Sequence, residues 1–298
     1  MPRLIVTHGG ALSNLPLFLA IDAGLLAALG LAVEAPALAG FASTVERLRD
    51  GTASIGTTGF TQVLADADAA DPLVVVAGSG LRGMAVLGCP GMTPADLAGA
   101  VVGTFADDPM QVLLSDVLAT RDPASRAHVR FLPSLDAAAD ALMSGSVSAI
   151  TTVEPWIGKL RRQGATLLSD GTDVWGPDYP DTVLVTRRSM LRTAPDMVTA
   201  VIRAMLRAEH MIGHDPFEAL SLIAHRFPAF TFDELGAGLR GQPPRVDLRG
   251  IEHTITERWP TVRGMQRRQI TPPPLGLVDL CCLAAAVEAE HGLCPSIP

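Results

Sequence analysis

The sequence predicts an α/β protein of two lobes, each built on a mostly parallel sheet flanked by helices, with a helical C-terminal tail. Short β-type runs alternate with helices whose starts carry capping residues, which is the pattern of parallel sheets. The run PLVVVAGS, residues 72–79, is apolar almost throughout, as a strand covered on both faces must be. With 298 residues, 48% of them apolar, the chain is long enough for two domains with real cores.

The elements follow in order. LIVTH, residues 4–8, reads as a first strand, and the next helix starts near Asn14 with Pro16 in its first turn. LAVEAP leads to Ser43, whose spacing to Glu46 fits a capping box. TASIGTT, residues 52–58, precedes the helical GFTQVLADADAA, and PLVVVAGS follows. Thr93 and Asp96 cap a short helix with Pro94 at its first position; VVGTFA then meets Asp108, Pro109 and Gln111, a second capping box. AHVRFLP, SLDAAADALMSG and VSAITTV continue the alternation as strand, helix and strand. After residue 180 the texture changes: DTVLVTRRSML supplies one more strand, and helical periodicity dominates from there to LVDLCCLAAAVEAEHG. Segments 239–249 and 270–275 are Pro/Gly/Arg-rich connectors.

Charge and composition narrow the function. The formal net charge is −8, Lys159 is the one lysine, and no basic block could track a phosphate backbone, so nucleic acid is a poor partner. The most apolar stretch, residues 15–40, is broken by Asp22, Glu34 and glycines, which favours a buried helix and strand over a membrane span. No basic region followed by an apolar core and a small-residue cleavage site precedes the first strand, so the sequence as it stands reads as cytoplasmic; an omitted signal segment would make it periplasmic or cell-surface. Cys89, the pair Cys281 and Cys282, and Cys294 have no zinc-type spacing and read as small buried hydrophobes, with a disulfide between Cys294 and one of the pair left open. No metal or cofactor is expected.

Four segments in register carry a family resemblance. PLFLAIDAGLLAALGLAVE resembles the opening helix and second strand of the nitrate, sulfonate and taurine branch of type II ABC-transporter substrate-binding proteins. MTPADLAGAVVGT resembles that family's entry into its second lobe, VEPWIGKL its EPW segment, and TVLVTRRSMLRTAPDMVTAVIRAMLRAEHMI its return strand and long helix. The resemblance runs from about residue 3 to residue 225. It implies a two-lobe type II periplasmic-binding-protein fold, with residues 1–85 and 180–298 in the first lobe and 86–179 in the second. It also implies a small polar organic ligand in the cleft and an ABC permease as partner. The superfamily includes pyrimidine-precursor binders for thiamine synthesis and a few enzymes, so a cytosolic enzyme resembling pyrimidine synthases or sulfinate desulfinases is the alternative. The synthases' cysteine-rich cluster is missing, and Cys89 lies at the crossover, where it is no clear counterpart of the desulfinases' nucleophile.

Ligands of open α/β sheets bind at the carboxyl ends of strands. That rule marks Ser13 and Asn14, Ser43, Thr57, Thr58 and Phe60, and Asp107 with Asp108. Helix starts there favour an anion. Asp107, Asp108 and Glu154 would oppose one, and together they favour a cation or a hydrogen-bond-donating ring. The resemblance sets Glu154 at the cleft rim with Pro155 opening a helix, so Glu154 either caps that helix or meets the ligand, and Trp156 either stacks on the ligand or belongs to the core. Asp108 has capping duty, which leaves Asp107 the stronger candidate. His8, at the end of the first strand, is either structural or a ligand contact, and Arg82 either grips a ligand carboxylate or covers the hinge.

Overall fold

The computed structural model describes residues 3–36, 41–106, 108–120 and 125–291. Its strands are Arg3–Thr7 (β1), Ala32–Glu34 (β2), Ile55–Gly59 (β3), Leu73–Leu81 (β4), Met84–Gly88 (β5), Val101–Thr104 (β6), His128–Phe131 (β7), Ala149–Val153 (β8), Thr166–Ser169 (β9) and Pro180–Arg187 (β10). They form two five-stranded sheets, ordered β2-β1-β3-β10-β4 and β7-β6-β8-β5-β9. The chain leaves the first sheet after Leu81 and pairs in the second from Met84 onward. The crossover therefore falls at Arg82 and Gly83, just before the expected boundary at residue 85.

Direction within the sheets is not uniform. In the first, β1 is parallel to β2 and β3, whereas β10 is antiparallel to both β3 and β4. In the second, β6 is parallel to β7 and β8, and β5 is antiparallel to β8 and β9. The reversed strand of each sheet is the one by which the chain arrives from the other lobe. A parallel neighbour requires a crossover long enough to return to the starting edge, and these arrivals have none. β5 and β9 add to the elements expected from the sequence; both lie beside glycine-containing turns that interrupt the apolar pattern.

Most helix starts are where the sequence places them. Leu15–Asp22 follows Asn14, and Pro94–Leu97 follows Thr93, whose N–H and hydroxyl both donate to Asp96. Pro109–Ala119 is capped by Asp108, whose carboxylate accepts from the Met110 N–H at 2.9 Å. The Ser43–Glu46 capping box is overturned: the helix there already begins at Phe41 and places Ser43 inside its first turn. Pro155 is a cap, not the first helical residue; it follows a cis peptide bond from Glu154, and the helix runs Trp156–Arg162.

Two apolar cores hold the molecule. One joins the lobes, running from Phe60 and Val63 through Val86 and Ile150 to Trp175 and Trp259. The other lies between the first sheet and the tail. There the helix Pro195–His214 buries Val198, Val201, Ile202, Met205 and Ala208, a spacing of three and four that lays one helical face on Leu15–Asp22 and Cys281–His291. Each of the buried valines, Ile202 and Met205 is worth about 1.5–3 kcal/mol relative to exposure. The tail also reaches the second lobe: Phe232–Gly241 packs on Trp156–Arg162, and Trp259–Met265 packs on both Phe60–Asp66 and Pro109–Ala119. Among the described residues no helix is long and apolar enough to cross a membrane.

Candidate functional site

The ends of β1 and β3, the start of β10 and the start of the helix Pro109–Ala119 meet between the lobes. β10 is reversed, so its first residues lie beside the last residues of its neighbours: Thr182 pairs with Gly59 at the end of β3. Around this point is a small inner chamber of about 30 Å³, with Asn14, Thr44, Thr57, Thr58, Asp108 and Asp181 in its wall. That volume admits roughly one water-sized group. Gly9 also borders a larger outer chamber of about 410 Å³, faced by His8, Trp156, Arg226, Phe227 and Phe230.

Asn14 organises the first-lobe wall. Its amide N–H groups donate to the carbonyls of Gly9 at 3.3 Å and Ala11 at 3.1 Å, and its Oδ1 accepts from the Thr57 hydroxyl. The loop after β1 is thereby tied to the end of β3. Thr44, on the helix Phe41–Arg49, points its hydroxyl toward the His8 carbonyl at 3.5 Å.

Among the described residues, two carboxylates set the charge of the inner chamber. Asp108 comes from the second lobe and Asp181 from the first. Asp181 accepts from Gln242 Nε2 at 2.7 Å and from the Thr182 hydroxyl at 3.2 Å. Burial pushes Asp181 up to about 6 and Asp108 up to about 7, and the charge of Asp181 adds to the rise at Asp108. Gln242 also donates to the Arg82 carbonyl at 3.0 Å, so one tail side chain links the crossover to the cavity carboxylate.

The outer chamber is aromatic. Trp156 meets Phe230 edge to face with centroids 4.9 Å apart, and Lys159 Nζ lies 4.9 Å from both ring centres. His8 packs edge-on against Phe18 at 4.8 Å. Its Nδ1 lies 3.0 Å from the Gly9 carbonyl; a carbonyl only accepts, so Nδ1 carries the proton. Burial lowers the His8 pKa, leaving a neutral ring whose buried Nε2 is a free acceptor.

The structure sorts the candidates from the sequence. Asn14, Thr57, Thr58 and Asp108 line the inner chamber, and His8 and Trp156 the outer. Four others line neither. Ser13 is buried, its hydroxyl 2.7 Å from that of Thr182, behind the cavity wall. Phe60 packs edge-on against Trp175 at 5.6 Å in the core between the lobes. Arg82 sits at the crossover with φ of 56°, in the left-handed region, and its backbone does the bonding. Glu154 turns away from the cavity: its carboxylate accepts from the Gly158 N–H at 3.2 Å at the start of Trp156–Arg162, and burial raises its pKa. It bonds as a helix cap does, which is one of the two roles that the sequence left open for it. Ser43 lies on the helix Phe41–Arg49, its side chain outside the described set, and Asp107 lies outside the described residues altogether, as does Cys294. Cys89, Cys281 and Cys282 are free thiols. Asp181, Thr182 and Thr44 are cavity residues that the sequence did not single out.

This architecture, two parallel-rich sheets with a cleft at their strand ends and a helical tail, is the periplasmic-binding-protein fold. The profile of the family described as NMT1/THI5 like matches residues 13–219, and the chain belongs to that family. The ligand-binding component of an ABC-type import system from Staphylococcus aureus, solved with zinc bound, is similar with a TM-score of 0.80 and 15% identity, over 96% of this chain and 99% of that one. The alkanesulfonate-binding protein SsuA from Xanthomonas axonopodis pv. citri, bound to MOPS, gives 0.77 and 20%, over 94% and 98%. The periplasmic nitrate-binding protein NrtA from Synechocystis gives 0.77 and 13%, over 99% and 91%. At these identities the likeness is one of fold. No curated protein matches the sequence. Among the described residues no group of three or more His, Cys, Asp or Glu side chains is placed to hold a metal ion.

Proposed function

We propose that the chain is a solute-binding protein that captures a small polar organic metabolite between its lobes and delivers it to an ABC permease on the side of the membrane where the importer collects cargo. The observation that carries this reading is a cavity whose wall is shared: Asn14, Thr57 and Asp181 come from the first lobe and Asp108 from the second. A ligand touching both lobes stabilises only the closed arrangement, which is how such proteins turn binding into a change of shape. The outer chamber holds the body of the ligand against Trp156 and Phe230, and the inner chamber holds one head group. The enzymatic alternative draws no support from the thiols. Cys89 bonds the Val147 carbonyl at 3.7 Å beyond the end of β5, and among the described residues no cysteine lines either chamber.

Native mass spectrometry of the freshly purified chain tests the proposal. A stoichiometric small molecule should be released intact on denaturation, and Trp156→Ala should weaken its rebinding by about 1–3 kcal/mol through lost aromatic contact. Chemical turnover of the released molecule by the wild type would overturn it in favour of an enzyme.

A further inference from the structure

We infer that the ligand presents a cationic, multiply N–H-bearing head group, an ammonium or amidinium, held in the inner chamber between Asp108 of one lobe and Asp181 of the other. This rests on the solute-binding reading and names the chemical class of the ligand. Both residues line the chamber, and they are 7% and 5% exposed. Their bonding partners are neutral donors: the Met110 N–H for Asp108, and Gln242, Thr182 and Ser13 for Asp181. Among the described residues no arginine, lysine or histidine lines the inner chamber. A buried carboxylate pair without a cation is costly when ionised, and a positive group placed between the two removes that cost while touching both lobes. The groups acting on the pair are also accounted for. The charge of Asp181 reaches Asp108, Tyr179 lies close to Asp181, and the Ser13 hydroxyl acts on Asp181 together with Thr182 and Gln242. Glu154, from the end of β8, is committed to the Gly158 N–H.

The arrangement makes closure depend on charge. With both carboxylates ionised and no ligand, their repulsion acts across the cleft and favours opening; a bound cation or a proton reverses it. An oxyanion of the kind named for the sulfonate- and nitrate-binding neighbours meets two acidic groups and has no basic partner in the chamber. The chamber's size adds a constraint, because about 30 Å³ admits one N–H-bearing end of the head, an NH₃⁺ or one NH₂ of an amidinium, and leaves the rest of the ligand to the outer chamber.

Isothermal titration of the full chain with benzamidine, 4-aminopyrimidine, methanesulfonate and nitrate, at about pH 5.5 and about pH 8, tests this. Benzamidine places an amidinium on a ring that matches the two chambers. It should bind, and more tightly at the higher pH, by up to about tenfold per pH unit for each proton displaced. Asp108→Asn and Asp181→Asn should each weaken it by roughly tenfold or more. Asparagine caps helices as well as aspartate does, so Asp108→Asn should keep the local fold, which a melting curve unchanged from wild type would verify. Methanesulfonate or nitrate binding that tightens in either variant would overturn the inference and leave the solute-binding role standing. Benzamidine binding indifferent to pH and to both substitutions would do the same. A chain that carries no small molecule from purification and binds no probe of either charge, in wild type or variant, would overturn both.

Discussion

Glu154 and Asp181 show how little a residue's type says about its task until its surroundings are known. Both are acidic, both sit at an end of a strand, and burial raises the pKa of both. Glu154 closes a helix start, so Glu154→Gln, which keeps an acceptor for the Gly158 N–H, should leave ligand affinity within about twofold of wild type in a binding titration. Asp108 and Asp181 behave differently. Their folded pKa values, about 7 and about 6, lie above the ordinary 3.8, so the folded state binds more protons than the unfolded one between these limits. Stability without ligand is therefore greatest in mild acid and falls as pH rises through that window. Denaturant unfolding should show a loss of roughly 2–4 kcal/mol between about pH 5 and about pH 8. Asp108→Asn and Asp181→Asn should each flatten the slope; an unchanged slope in both would mean that the pair is not the source.

At the scale of elements, the lobes pack tightly against each other at the end of β3. Gly59 caps the helix Phe60–Asp66 with φ of −62°, a conformation open to any residue, so its glycine is not demanded by the backbone. It is demanded by space: a Cβ at Gly59 would run into the ring of Pro109, the first residue of the second-lobe helix. Gly59→Ala should accordingly fold with a melting temperature close to wild type yet hold the lobes apart. Ligand affinity should fall by about tenfold or more, since the closed state alone completes the site. Small-angle scattering with saturating ligand should then give a larger radius of gyration than wild type. An unchanged radius and affinity would show that the proline yields.

Over the whole molecule, the tail does more than cover the first lobe. Asp116, on the second-lobe helix Pro109–Ala119, accepts from Arg258 at 3.2 Å and Thr261 at 3.0 Å, both in the tail, and from Trp175 at 2.8 Å. On the opposite flank Arg162 pairs with Glu234, and Lys159 donates to the Ala229 carbonyl at 3.0 Å. The tail thus ties to the second lobe through both the helix Pro109–Ala119 and the helix Trp156–Arg162. Asp116→Ala should lower stability by about 1–3 kcal/mol, the range for unpairing partly buried hydrogen-bonded groups. It should also raise amide exchange in Trp259–Met265 relative to Pro195–His214; uniform exchange changes across the chain would argue for general destabilisation instead.

Sequence alone determined the alternation of strand and helix, most helix starts, the family and part of the cavity wall, because each is written in local signals. Apolar spacing sets the elements, proline and short polar side chains set the caps, and strand ends set Asn14, Thr57, Thr58 and Asp108. Only the tertiary structure decided which carboxylates line the chamber. Asp181 opens a strand, and the rule that ligands gather where strands finish passes over it. β10 runs against its neighbours, however, and this reversal brings its first residues to the edge where β3 finishes. No local pattern records strand direction, which depends on how a chain returning from the other lobe finds its partners. The same holds for Glu154, whose carboxylate turns to the nearest free N–H of the helix that follows, a choice made by packing between the lobes and the tail.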